Sequence, residues 1–280
     1  SPILDLAAGK LLFRGRPAKP LAEISSGKGS RVVEVPYRRY RAYGTASVVD
    51  VSVGGKTASV LIDTGVQAVL HLTPKGLSRL GLPTDPGEWM RRGALPFRYG
   101  GVGGIGGTDL LVRLESLALG PVRFERPWVQ LSGLGDPSPR EIEFEGLLGA
   151  GAFLPFARVG FDESRKVLEL EPGPEVRAGP EGGLDVPDPG EFLGLVLEGP
   201  DPSAREEPGS LPRVAEVSPG GPADHAGVRV GERLLTVDGL PCMFASPSAF
   251  NRRLWPRAGK KVSLGFAAPD GSGVRIVELP

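Results

Sequence analysis

The chain contains a single cysteine, Cys242, and only two histidines, His71 and His225. One thiol cannot close an internal disulfide, and with so few nitrogen and sulfur ligands no zinc set can be assembled, so neither a metal nor another cofactor is expected. Cys242 itself reads as a small buried hydrophobe. Net charge is missing too: lysine plus arginine and aspartate plus glutamate stand at 33 each. No global field therefore recruits nucleic acid or an anionic membrane surface. No run of 18 apolar residues exists, which excludes a membrane-spanning helix in this sequence. A serine-hydrolase elbow of the Gly-x-Ser-x-Gly kind is absent, and the two histidines lie 154 positions apart (71 to 225), which leaves no catalytic triad.

What the chain has in excess is glycine and proline, 42 and 29 of 280 residues. That bias favours short strands and many turns over long helices, and the length suffices for two modest domains. The chain begins at Ser1 rather than methionine, and the expectation is that an upstream segment, a signal peptide or more, has been removed.

Four regions are expected: an N-terminal strand and loop over 1–35, a first domain over 36–173, a linker over 174–190 rich in Pro, Gly, Glu and Asp, and a second domain over 191–280. In the first domain, Ala46 to Val53 and Thr57 to Ile62 flank Gly54-Gly55, a hairpin signal. Thr73-Pro74 opens a short helix through Leu80 that Gly81 closes. A glycine-rich stretch from Gly100 to Gly107 precedes an alternating strand from Leu110 to Leu119. Gly101 to Gly106 matches a dinucleotide fingerprint on paper, but the alternating continuation is a strand and not the helix that phosphate binding requires. Ile3 to Phe13 also echoes Val159 to Leu170. Two unrelated strands is one reading of the echo, and the tail of a preceding lobe is the other.

Leu61-Ile62-Asp63-Thr64-Gly65 puts a carboxylate just after a hydrophobic strand, with a glycine that permits a tight turn and the close approach of another backbone. This motif, the Gly55 hairpin before it, the helix ending Arg79-Leu80-Gly81-Leu82, the glycine-rich stretch and Gly146-Leu147-Leu148-Gly149 together resemble the retropepsin-like aspartic peptidases of bacteria. The resemblance spans Arg38 to Pro172 and implies a mainly β protein whose first domain is a closed β-barrel lobe. It implies that Asp63 is the catalytic acid/base, that Thr64 locks two half-sites together through its hydroxyl, and that Gly65 lets the loops approach. Tyr99, Gly100, Gly101, Val102, Gly103, Gly104 and Ile105 would form a flap that covers an extended substrate. Such a site needs two carboxylates sharing one proton, so its pH optimum should be acidic. Only one Asp-Thr-Gly occurs here. The resemblance therefore implies a homodimer through the peptidase domain, or, if the echo at Ile3 marks a preceding lobe, a partner within a longer chain. Val66 departs from the family, in which alanine or serine follows the glycine, and its bulk is expected to crowd the dyad.

The second domain, with Phe192-Leu193-Gly194-Leu195, Ala226-Gly227-Val228 and Gly231 to Gly239, resembles a PDZ domain. The resemblance implies that the loop at Phe192, Leu193, Gly194 and Leu195 presents N–H groups to a terminal carboxylate, and that the strand starting at Leu195 pairs with a peptide or C-terminal ligand. Phe250 and Leu254, on a helix opened by Ser246-Pro247, either line the side-chain pocket or pack in the core. The expected activity is endopeptidase cleavage of extended polypeptide with PDZ-mediated capture, in an extracytoplasmic setting. The alternative is a silent protease-fold scaffold in which only the PDZ groove works.

Overall fold

The computed structural model describes residues 2–6, 10–13, 20–21, 31–40, 46–66, 68–101, 104–134, 144–188, 193–198, 211–242, 261–269 and 273–280. In chain order they form β1 (Pro2–Asp5), β2 (Lys10–Phe13), β3 (Val33–Pro36), β4 (Arg38–Tyr40), β5 (Ala46–Val53), β6 (Lys56–Ile62), β7 (Leu70–Leu72), α1 (Pro74–Leu80), α2 (Pro86–Arg91), β8 (Leu95–Gly101), β9 (Gly104–Arg113), β10 (Ser116–Leu119), β11 (Val122–Glu125) and β12 (Trp128–Leu131). Then come β13 (Gly146–Leu148), β14 (Phe156–Asp162), β15 (Val167–Pro172), β16 (Arg177–Ala178), β17 (Leu184–Val186), β18 (Leu195–Glu198), β19 (Arg213–Val217), α3 (Pro222–His225), β20 (Arg233–Val237), β21 (Leu240–Pro241), β22 (Val262–Ala267) and β23 (Val274–Leu279). The protein is mainly β, as its composition predicts. It divides into two compact units, residues 1–92 with 112–188, and residues 93–111 with 189–280.

The first unit holds two sheets. One runs β2-β1-β14-β15-β3 with every neighbour antiparallel. In the other, β16, β17, β11, β10, β5, β6, β13, β7 and β12 follow one another, and β4 also pairs with β5. Val49, Val51, Val60, Leu117, Leu119 and Val122 are completely buried in the core, each burial worth about 1.5–3 kcal/mol. The segment read from composition as a linker carries β16 and β17, and β17 pairs parallel with β11 through Val122 opposite Leu184. Arg113 and Arg126 both hold the carboxylate of Asp188 at the end of this stretch. The strand expected over Leu110 to Leu119 is broken: β9 ends at Arg113, and β10 starts at Ser116 after a bend.

Two local devices set the frame. Gly54 and Gly55, at φ +57° and +80°, make the two-residue turn whose twist matches the strands it joins. Thr73 caps α1 by accepting the Gly76 N–H, and Gly81 closes the helix at φ +68°. In the first sheet, the turn between β14 and β15 is built on Asp162, whose Oδ1 accepts the N–H groups of Ser164 and Arg165 at 2.9 and 3.1 Å. The Arg165 guanidinium bridges Asp162, Glu34 and Glu169 at 2.6–2.9 Å. Burial pushes the Asp162 carboxyl up, but the bonds from Ser164 and Arg165 outweigh it and hold the group well below the usual carboxylate range. Pairing is what makes these buried charges tolerable.

The second unit contains the β8–β9 hairpin and a sheet in the order β18-β19-β20-β22-β23, with β21 on β20. Leu193, Val214, Leu234, Leu264, Phe266 and Cys242 pack in its core, so Cys242 is the small hydrophobe expected. Arg275 grips Glu232 at 2.7 and 2.9 Å and donates to the Gly227 carbonyl at 2.8 Å, tying β23 to the turn after α3.

Candidate active site

β6 delivers Asp63 and sets the direction of its backbone. It runs parallel to β13, with Leu61 opposite Leu147 and Ile62 opposite Leu148, and the Asp63 N–H continues the ladder by donating to the Leu148 carbonyl at 2.9 Å. The chain then turns sharply. The Gly65 N–H donates to Asp63 Oδ1 at 2.9 Å, and the Val66 N–H to the Asp63 carbonyl at 3.2 Å. A β-carbon on Gly65 would stand 3.1 Å from Asp63 Oδ1, so the glycine lets the backbone close on the carboxylate. Asp63, Thr64 and Gly65 are all exposed.

Beneath this turn lies the segment Gly146 to Gly149. The Ala150 N–H donates to the Val66 carbonyl at 2.7 Å, and the Gly149 N–H to the Val69 carbonyl at 3.1 Å. A β-carbon on Gly149 would lie 2.9 Å from Val66 Cγ1 and 2.6 Å from the Val66 carbonyl oxygen; one on Gly146 would lie 3.2 Å from side-chain carbons of Leu72 and Val60. Both glycines are required by packing. Within this chain the Val66 side chain lies against the face where Gly149 has no side chain. Thr73 fastens the same segment: its hydroxyl lies 3.1 Å from the Phe144 and Glu145 carbonyls, and its N–H donates to the Glu145 carbonyl at 3.2 Å.

Side chains alternate faces along a strand, so Leu61 shares its face with Asp63, and directly opposed residues of neighbouring strands share a face. Leu147 lies opposite Leu61, His71 opposite Leu147, and Gln130 opposite His71. Leu61, Leu147, His71 and Gln130 thus form a transverse row on the Asp63 face. No motif in the sequence marks this placement of His71. The pattern Leu70-His71-Leu72, with two fully buried leucines around it, signals the strand alone. Burial pushes the His71 imidazole down to about 4, and the Asp63 carboxylate pulls against that shift.

In the segment expected to form a flap, Tyr99, Gly100 and Gly101 lie on β8, and Gly104 and Ile105 on β9, with Gly100 opposite Ile105 and Gly101 opposite Gly104. Val102 and Gly103 lie outside the described residues. In the second unit, Leu193 is buried, Gly194 stands at φ +72° and Leu195 starts β18 opposite Val217. The Leu193 and Gly194 carbonyls accept from the Ala223 and Ser218 N–H groups at 2.9 and 2.7 Å, which holds the loop while β18 forms the end of its sheet among the described residues. Phe192, Phe250 and Leu254 lie outside the described residues. Among the described residues no cluster of three or more His, Cys, Asp or Glu side chains could hold a metal ion.

Residues 213–264 match the family model of the PDZ domain, from the start of β19 into β22. No curated protein matches the chain. Among solved structures, it is similar to a retropepsin-like aspartic protease from Rickettsia conorii, at 19% identity over 52% of this chain and 96% of that one, with a TM-score of 0.34. It is also similar to the photosystem II D1 C-terminal processing protease, at 29% identity over 32% of this chain and 22% of that one, with a TM-score of 0.28. A third likeness is to the HtrA-type protease AlgW with decapeptide, at 15% identity over 96% of this chain and 65% of that one, with a TM-score of 0.28.

Proposed function

We propose that this chain provides one half-site of an aspartic endopeptidase and couples it to peptide capture by its PDZ domain. The observation that carries the reading is the Asp63 turn: an exposed carboxylate oriented by the Gly65 N–H, on a floor from which Gly146 and Gly149 exclude side chains. Two such turns face to face hold two carboxyls that cannot both ionise, so one keeps a proton while the other acts as base. The ionised member takes a proton from a water that attacks the scissile carbonyl. The protonated member supports the oxyanion and passes its proton toward the leaving amine. The row Leu61, Leu147, His71 and Gln130 then borders an extended substrate chain.

The PDZ domain takes a peptide or free C-terminus by strand addition to the edge that β18 forms among the described residues, with the Leu193-Gly194 loop beside the carboxylate. Capture there raises the local concentration of substrate at the acid site.

The test is cleavage of an unfolded protein from about pH 3 to 8 by the protein isolated from its source cells, against the Asp63→Asn variant. Acid-favoured cleavage that vanishes with Asp63→Asn is expected. Equal rates in parent and variant would discard the peptidase reading and leave a peptide-binding protein.

A further inference from the structure

The first sheet carries an internal two-fold symmetry. Its β1–β2 hairpin pairs Asp5 with Lys10, and its β14–β15 hairpin pairs Asp162 with Val167. Each hairpin closes over four residues, 6–9 and 163–166. Matching the closing pairs, Asp5 with Lys10 and Asp162 with Val167, sends each strand residue to the one 157 positions later, Asp5 to Asp162 and Ile3 to Gly160. Under that mapping Ile3 and Gly160 are counterparts, and these same two residues are paired where β1 meets β14 antiparallel. A residue paired with its own counterpart lies on a two-fold axis, so the axis passes between β1 and β14 and exchanges the hairpins. The sequence agrees in part, with Ile3, Lys10 and Leu12 falling on the unlike Gly160, Val167 and Glu169. Both turns begin with aspartate, and Leu4, Leu11 and Phe13 fall on Phe161, Leu168 and Leu170.

The symmetry is incomplete in one place. β15 carries β3 on its outer side, with Val35 opposite Leu168, whereas the equivalent side of β2 is the edge of the sheet among the described residues. An apolar strand at the edge of a sheet is a template for another strand. What lies beyond β3 in the chain is the half-site itself, which leads to Asp63. The missing strand should therefore lead to a second half-site, related to the first by the same axis.

We infer that residues 2–13 are the closing hairpin of a preceding lobe homologous to the first domain, and that this lobe supplies the second carboxylate. In the visible lobe the half-site comes before its closing hairpin, so in the other lobe it comes before β1, with its aspartate about 157 residues ahead of Asp63 by the same offset. A second copy of this chain cannot take that role through this sheet, because β1 already occupies the side of β14 that an isologous pair would share. The inference rests on the reading of Asp63 as one member of an acid pair, but it concerns only where the other member comes from.

The experiment has two arms. The coding sequence ahead of Ser1 is read for two apolar residues followed by Asp-Thr-Gly or Asp-Ser-Gly near the stated spacing, and the encoded segment is produced as a separate chain. The 280-residue protein is then examined alone and mixed with that segment, by sedimentation and by cleavage of an unfolded protein. The expected result is a monomer with no cleavage alone, a one-to-one complex on mixing, and cleavage by the complex that falls at least a hundredfold with Asp63→Asn. Cleavage by the chain alone, rising with the square of its concentration and lost in Asp63→Asn, would overturn the inference while sparing the peptidase reading. An upstream sequence without the tripeptide, or no complex on mixing, would also overturn it. A complex that carries both aspartates yet cleaves nothing upholds the inference and removes the peptidase reading instead.

Discussion

Gly149 lies directly beneath Val66: a β-carbon on the glycine would stand 2.9 Å from Val66 Cγ1 and 2.6 Å from the Val66 carbonyl oxygen. The carbonyl is backbone and cannot swing aside, so the clash must be relieved by moving the acid turn. Gly149→Ala should destabilise the first unit by about 2–4 kcal/mol, as overpacking against fixed backbone does. Chemical denaturation of the parent and the variant measures this directly. Val66→Ala in the Gly149→Ala background should recover only part of the loss, because the carbonyl clash remains.

Thr73 joins α1 to the floor of the site through one hydroxyl that accepts from Gly76 and reaches two carbonyls. Thr73→Ala removes the oxygen that caps the Gly76 N–H and the hydroxyl's link to the Phe144 and Glu145 carbonyls, and should cost about 1–2 kcal/mol. Thr73→Ser keeps the hydroxyl and should retain most of the stability, which separates the cap from the packing of the methyl group.

With only two histidines in the chain, the imidazole of His71 can be followed by NMR, and a His225→Gln variant assigns it. Its midpoint is expected near 4, depressed chiefly by burial. Asp63→Asn should lower it further, since the carboxylate is what favours the charged ring. The folded value lies below the unfolded one of about 6.5, so the unfolded chain binds the extra proton first. The stability contribution of neutral His71 is whole above about pH 6.5 and is lost as the pH falls toward 4. His71→Leu should therefore flatten the decline of stability across that window.

Arg165 serves two carboxylates whose side chains are each 1% exposed, Asp162 and Glu169. Arg165→Met removes the counter-charge from both, although Ser164 still donates to Asp162 and the Leu21 N–H to Glu169, and should cost about 3–5 kcal/mol near neutral pH. Asp162 is held below its unfolded value, so its contribution is present above about pH 4 and disappears as the pH falls through the depressed value. The penalty of Arg165→Met should accordingly shrink in acid, which urea melts at pH 7 and pH 3 would show.

Features written in a few adjacent residues were the readable ones. Gly54-Gly55 specifies a turn by backbone conformation alone, and Thr73-Pro74 with Gly81 marks both ends of a helix. The same grammar at Asp85-Pro86, where Asp85 accepts the Gly87 N–H and opens α2, was there to be read and was passed over. β17 was less accessible, because Leu184 and Val186 are its only apolar residues and its strand character comes from pairing with β11, which no local pattern reports. Of the site, the Asp63 turn was legible as a motif. The place of His71 was not, since it depends on registers between β6, β13, β7 and β12 that join distant parts of the chain. The echo of Ile3 to Phe13 in Val159 to Leu170 was visible as letters, but the register that pairs Ile3 with Gly160 was not.

The bond from the Asp63 N–H to the Leu148 carbonyl also bears on the order in which the molecule is made. A chain emerging from the ribosome completes the β5–β6 hairpin early, but the strand that fixes the acid turn is synthesised much later, and such distant pairings form slowly. Until Gly146 to Gly149 arrives, the nascent polypeptide carries the Asp63 carboxylate on a turn without its parallel neighbour, so that turn is set only after most of the first unit has been translated.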